Sequence, residues 1–462
     1  MSRNPNFIRE RTTLIVDLVL NNTKAYINKE IKDCSIAIDN GKIFKISKEA
    51  NMPKAEKRIN LKGLLTLPGS IDAHVHLRDE GKAYKEDFYT GTAAAAAGGV
   101  TTVLDMPNNN PVTMSVETLK NRIITAKKRI LVNVGFYSAF PNKTDEMKQI
   151  AEEGAVAFKL FMAAKIGGLD VNNDQSIKEA FRKARELRIP VAVHAEDMTM
   201  LEKAEREFKL ANRNDVEAFL KAHSETVEVK AVKRLIEIVK QTRNQVHFCH
   251  ISTEKGLKAI IDGKRNGLPI TCEATPHHLF LSVDDLKKIG TMTLTVPPLR
   301  EKPHVKNLWN GIKKRWIDII ASDHAPHTLD EKKTRNIWKV KVGIPGLETM
   351  LPLLLTEVNR GRLAISDVVR LTSEKPAEIF GLRGKGFIKE GNDGDLAVVD
   401  LHEKYTIDPS KFHSKAKFSP FNGWKVKGKI MKTFVSGKLI MDEGEIVAEA
   451  GSGTVIRRAM HP

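Results

Sequence analysis

The sequence predicts an α/β protein, a (β/α)8 TIM-like barrel with a small β-rich domain built from both chain ends. From about Leu64 to Ser322 a short apolar strand followed by a charged stretch of helical period recurs eight times. Eight such units close a parallel barrel. The two flanks share a different texture, short strands separated by glycine turns. With 462 residues, 41% of them hydrophobic, the chain can bury one large core and a smaller companion.

Residues 1–63 read as strands and hairpins. The clearest is Ile36 to Ile46, where Asn40-Gly41 supplies the positive φ of a tight turn. Residues 64–385 make the barrel. Its strands are expected at Leu67 to His76, Thr101 to Met106, Leu131 to Phe136, Val156 to Phe161, Pro190 to His194, Gln245 to His250, Ile270 to Ala274 and Ile317 to Ser322. Between them Thr90 to Ala97, Val116 to Lys128, Asp145 to Glu153, Ile177 to Leu187 and Thr226 to Lys240 carry helical periodicity, and Leu347 to Leu371 follows as helix. Residues 386–462 return to strands at Asp395 to Asp400, Lys429 to Ser436 and Lys438 to Met441, so the two ends are expected to pair into one domain.

Composition excludes more than it identifies. The apolar run Leu14 to Leu20 is broken by Asp17 and is too short to span a bilayer, so neither a membrane anchor nor a secretory signal is expected. Cys34, Cys249 and Cys272 form no CxxC pair, which suits a reducing, cytoplasmic setting. The net charge of +18 suits either nucleic acid or a small anionic substrate. Because Lys and Arg are interspersed with Glu and Asp and no aromatic-studded basic stripe exists, the charge reads as a solvated surface and no nucleic-acid partner is expected.

Chemistry gathers at the strand ends. The first strand closes with Asp72-Ala73-His74-Val75-His76-Leu77-Arg78. Residues two apart on a strand face the same side, so His74 and His76 can offer two imidazoles to one ion. Strand four carries Lys159, strand five ends at His194, strand six at His250, and strand eight in Ser322-Asp323-His324-Ala325-Pro326-His327. Barrel active sites form where such ends converge.

Alone, Lys159 would read as a lysine extending its amine to the barrel rim. Among four histidines and an aspartate a bare ammonium would repel metal, whereas carboxylation by CO2 turns it into an anionic bidentate ligand, so Lys159 reads as a carbamate bridging two ions. Imidazole and carboxylate donors favour Zn2+, with Mn2+, Co2+ and Fe2+ as alternatives. Two such ions can supply an activated hydroxide and polarise a carbonyl. Amide hydrolysis also needs a proton carried from the nucleophile to the departing nitrogen, a task that suits Asp323, whether or not it also ligates metal.

At these motifs the chain resembles the cyclic amidohydrolases, and dihydroorotases most closely. The resemblance covers the barrel and reaches the tail. It is carried by Asp72 to Arg78, by Ser322 to His327 with Lys332 five positions on, and by Gly346-Leu347-Glu348-Thr349 and Ser419-Pro420-Phe421. It implies that His74 and His76 bind one metal with Asp323, that Lys159 bridges, and that His194 and His250 bind the second. It also implies substrate contacts from His76, Arg78, Asn108 and His327, the last three holding a free carboxylate, with backbone near Val342 and Gly343 against the ring. A guanidinium grips a carboxylate at two points. Dihydroorotate and N-carbamoyl-L-aspartate carry such a carboxylate, whereas allantoinase-like and dihydropyrimidinase-like sequences lack the arginine.

The sequence also departs from that pattern. Val296 stands where many dihydroorotases carry a ring-contacting Asn, Glu80 replaces a common Pro, and many bacterial members bridge their metals with aspartate. The implied reaction is the reversible cyclisation of N-carbamoyl-L-aspartate to (S)-dihydroorotate in pyrimidine (UMP) synthesis. The rivals are an allantoinase or hydantoinase and, from another class, a metal-free scaffold. A homo-oligomer and assembly with aspartate transcarbamoylase are further implications of the resemblance. His277 and His278 carry no assignment, and residues 328–346 read equally as a lid over the site or as a solvated connector.

Overall fold

The computed structural model describes residues 15–459. Leu14, which opens the apolar run, lies outside them, and the rest of that run falls in the strand Ile15–Ile27. Burial alternates towards both ends of that strand, the period-2 signature of a pleated strand with one face covered, and Leu18 to Asn21 between them are buried throughout.

Eight parallel strands form the barrel in sequence order: Ser70–Val75, Val100–Asp105, Asn133–Ala139, Ala157–Phe161, Val191–His194, Val246–Phe248, Ile270–Ala274 and Ile319–Ile320. A parallel bridge between Val75 and His324 closes the ring, reinforced by the His76 N–H donating to the His324 carbonyl at 2.8 Å. The eighth strand is short because its C-terminal half leaves the ladder to carry Ser322 to His327.

The predicted first strand is two. Leu65–Pro68 joins a nine-stranded sheet, and only Ser70–Val75 lies in the barrel. Between them sits Gly69, where an added Cβ would fall 2.1 Å from the Thr101 hydroxyl, so only glycine lets the second barrel strand come that close. The nine-stranded sheet combines strands from both chain ends, with Leu396–Thr406 pairing antiparallel to Leu65–Pro68. Its predicted hairpin forms between Glu30–Asp39 and Lys42–Ser47, with Asn40 and Gly41 at φ 50° and 73°.

Helices wrap the barrel. Phe88–Ala97 starts at Asp87, whose carboxylate accepts from the Thr90 N–H at 2.8 Å, a cap contributing about 1 kcal/mol. Its buried face meets Phe136 across an edge-to-face contact, and Leu347–Asn359 packs beside it. Residues 328–346 are held down: Ile337 and Val340 are buried with Phe219 and Leu281, and Trp338 Nε1 donates to the Arg213 carbonyl at 2.9 Å. Among the described residues no helix is long and apolar enough to cross a membrane, and all three cysteines are free.

Candidate active site

The strand ends bring the predicted residues to one mouth of the barrel. His74, His76 and Asp323 each offer a donor atom, and these atoms lie within 4.8 Å of one another. Asp323 Oδ1 is 3.4 Å from His74 Nε2 and 3.2 Å from His76 Nε2. Each imidazole is aimed from behind. His74 Nδ1 donates to Glu273 Oε1 at 2.5 Å, and His76 Nδ1 donates to Asn108 Oδ1 at 2.6 Å, so both Nε2 atoms are free to face Asp323. Asp72 ties the first and eighth strands together by accepting from His74 N and Ser322 N, both at 3.1 Å, and burial pushes its carboxyl up to about 7.

The second group lies beside the first. His74 and His250 ring centroids are 5.2 Å apart, and those of His194 and His250 are 4.6 Å apart. His194 Nε2 donates to Glu196 Oε2 at 2.8 Å, which leaves Nδ1 as a lone pair facing His250 Nε2 at 3.0 Å. The other oxygen of Glu196 accepts from His223 Nδ1 at 2.9 Å. Lys159 is fully buried, and its amine donates to Cys249 Sγ at 2.9 Å. No carboxylate lies within ion-pair distance of it among the described residues.

The charge states suit a cation. Burial works to raise the Asp323 carboxyl, yet His74, His76 and His277 around it hold it well below the usual carboxylate range. Burial drives His76 down to about 3, and drives His250 well below the imidazole norm with help from His194, His74 and Lys159. Neutral imidazoles and an ionised carboxylate are the forms that ligate metal. His250 Nδ1 is also buried without a partner. The donor set therefore fits a metal centre.

Arg78, His250 and Asp323 adopt positive φ of 63°, 33° and 48°. Such conformations cost on the order of 1–3 kcal/mol each and cluster where structure is bent to a purpose. Here they turn side chains at strand ends inward.

Arg78 is buried, and burial lowers its guanidinium to about 10. It makes no ion pair among the described residues. Asp79 pairs with Arg129 at 2.9 Å, and Glu86 accepts from Ser414, Thr90 and the Lys415 N–H. Arg78 Nη2 lies 3.3 Å from His327 Nε2, and Arg78 Nε has no partner. The Val342 carbonyl, 3.0 Å from His327 Nε2, can only accept, so Nε2 carries the proton, and Nδ1, which has Lys85 Nζ and Glu331 Oε2 both at 3.1 Å, is left to accept from the lysine. In this tautomer Arg78 has a neighbour but no acceptor, a strong incentive to bind an anion.

Val296 packs with Val342 and Trp338 in an apolar cluster. His277 is buried with its Nε2 unpartnered and is lowered to about 4 by burial, in the electrostatic reach of Asp323 and His74. His278 is structural, bonded to Thr275 Oγ1 and the Pro297 carbonyl. Sequence reasoning missed Glu273, Glu196 and Cys249 as members of the site. A charged residue inside the apolar strand Ile270–Ala274 was the available signal for Glu273; Glu196, two residues after His194, and Cys249, next to His250, were marked only by their place at the same strand ends.

The amidohydrolase family model matches residues 65–440. The chain belongs to the amidohydrolase family. Members of this family depend on metal, in keeping with the donor cluster. The chain is 39% identical to a dihydroorotase of Methanothermobacter thermautotrophicus over 419 residues, covering 90% of this chain and 93% of that one. It is likewise 39% identical to a dihydroorotase of Pyrococcus horikoshii over 447 residues, 96% of each. An L-hydantoinase of Paenarthrobacter aurescens is 31% identical over 449 residues, covering 96% of this chain and 98% of that one. Among solved structures, the L-hydantoinase (dihydropyrimidinase) from Arthrobacter aurescens aligns with a TM-score of 0.92 at 30% identity, covering 96% of this chain and all of that one.

Proposed function

We propose that this amidohydrolase is a dihydroorotase, interconverting N-carbamoyl-L-aspartate and (S)-dihydroorotate in pyrimidine synthesis. The observation that carries the reading is Arg78, a buried guanidinium without an acid partner, beside a cluster of metal-type donors. The similarity to archaeal dihydroorotases over nearly the whole chain supports it.

In this proposal His74, His76 and Asp323 would hold one Zn2+, His194 and His250 would hold a second, and Lys159, carboxylated on its amine, would serve as a ligand shared by both. When bound, the ions supply an activated nucleophile from water and Lewis-acid polarisation of the ring carbonyl. The protein does the rest. Arg78 takes the free carboxylate at two points, with Asn108 and His327 beside it, while His76 and the backbone at Val342 and Gly343 bound the ring. Asp323, ionised in its nest of imidazoles, accepts the proton of the attacking water and delivers it to the ring nitrogen as the C–N bond breaks. In the synthetic direction the carbamoyl nitrogen attacks the carboxyl carbon, Asp323 takes the nitrogen's proton, and water departs.

The close structural likeness to a hydantoinase favours one rival, hydrolysis of a ring without a carboxylate. Turnover of dihydroorotate, allantoin, hydantoin and dihydrouracil by the purified enzyme decides between them. Dihydroorotate is expected to have the highest kcat/KM, and faster turnover of an uncharged ring would replace this reading. Cytoplasmic location is a part of the proposal that rests on the unpaired cysteines, while a homo-oligomer and association with aspartate transcarbamoylase rest on family resemblance. Light scattering of the enzyme alone and mixed with that transcarbamoylase tests the last two.

A further inference from the structure

We infer that Lys332 is a positioning residue for substrate, acting through the backbone of Val342. The inference rests on the dihydroorotase reading only for the identity of the ring.

Lys332 ends the short helix Leu329–Lys332, and its side chain is fully buried. Its amine donates to three carbonyls, those of Leu294 at 3.0 Å, Lys341 at 3.1 Å and Gly343 at 2.9 Å. An ammonium has three donors and no acceptor, so three carbonyls saturate it. No carboxylate lies within ion-pair distance among the described residues; the ring of Phe418 at 5.8 Å covers it. Burial pushes the amine down to about 7.

Two of the three acceptors flank Val342. The Lys341 and Gly343 carbonyls both accept from Lys332, while the Val342 carbonyl between them meets His327 Nε2 at 3.0 Å, next to Arg78. The third acceptor closes the knot, because the Leu294 carbonyl also takes the Gly343 N–H at 2.9 Å. Beyond it, Ile344 runs along the end of the eighth strand, accepting from Ala325 N at 2.9 Å. Lys332 thus sets the rotation of this segment, and with it the His327 tautomer that leaves Arg78 without an acceptor. Among the described residues no other group donates a hydrogen bond to both carbonyls that flank Val342. A lysine that stabilised the fold alone would have no need to aim them.

The test is Lys332→Met in the full-length, metal-loaded enzyme, measured by steady-state kinetics with dihydroorotate, metal content and thermal melting. The expected result is unchanged metal content, kcat within about threefold of wild type and a KM raised at least about tenfold. A folded, metal-loaded variant with KM within twofold of wild type overturns the inference. So does a fall in kcat and metal content at unchanged KM, which would assign Lys332 to the scaffold. Should Lys332→Met not fold, Gly343→Ala substitutes. Gly343 has φ 134°, and a Cβ there would fall 2.4 Å from the Ala325 carbonyl oxygen, so the segment must shift while Lys332 stays. A raised KM is expected, and an unchanged one is fatal to the inference. Should wild type not turn over dihydroorotate, the functional reading fails. The same KM comparison on the cyclic amide it does hydrolyse then still decides the role of Lys332.

Discussion

The two halves of the donor cluster are built differently. His74, His76 and Asp323 form a set of ordinary side chains, already aimed by Glu273 and Asn108, with the Asp323 carboxyl held low by its histidine neighbours and His76 driven down by burial. Lys159, His194 and His250 include no anion, and the lysine amine rests on a thiol that burial holds protonated. A buried ammonium without a carboxylate is costly, and next to imidazoles it opposes a cation. The first half is ready for metal on folding. On the proposed reading the second needs a covalent change at Lys159, and the two proposed ions should therefore differ in their dependence on CO2.

The largest effect expected from this contrast is at Lys159. Lys159→Met removes the group proposed to become the bridging anion, so metal content should fall toward one ion per chain and activity below about a thousandth of wild type. A short carboxylate such as propionate should restore part of both. Retention of two ions by the unassisted variant would erase the distinction between the halves. Asp323→Asn comes next. It keeps much of the metal but loses the proton carrier, for an expected drop in kcat of about 10²–10⁴-fold, and near-normal turnover would remove Asp323 from the chemistry. Arg78→Met lies outside both halves and should raise KM for dihydroorotate by about 10–150-fold, the worth of a charged hydrogen bond. It should leave the turnover of hydantoin unchanged, and equal losses on both substrates would show that Arg78 supports the site rather than the carboxylate.

What was legible in the sequence follows from where the information lies. The barrel could be read because each strand buries both faces and each helix repeats at its own period, so the pattern is local. His74, His76, Lys159, His194, His250 and Asp323 stood out because strand ends are where a reader expects polar groups to converge. The split at Gly69 was hidden, since it depends on the approach of Thr101 from the next strand. The roles of Glu273 and Cys249 were hidden for the same reason, since their partners His74 and Lys159 are distant in the chain, and the same holds for the His223 side of Glu196. Asn108 was assigned to substrate from its motif, yet its oxygen is committed to His76, leaving its amide nitrogen as the group that can meet a ligand. Residues 328–346 could not be sorted into lid or connector from composition, because the packing of Ile337 and Trp338 on the segment around Phe219 is tertiary.

The smallest expected effect tests how far the readiness of the first half is due to its support. Glu273 is held ionised, against its burial, by His74 and His247, and it fixes His74 with Nε2 outward. Glu273→Gln keeps the shape but weakens the charge that orients the ring. Loss of such a partner typically costs 10–100-fold in metal affinity. Metal titration of the apoenzyme should show weakening of that order for the His74 ion alone, with kcat at saturating metal reduced by less than about tenfold. The second half has its own carboxylate behind a histidine in Glu196, so Glu196→Gln should weaken the other ion selectively. If both variants weakened both ions equally, the halves would be one cooperative unit, and the contrast between a preformed site and a chemically completed one would have to be given up.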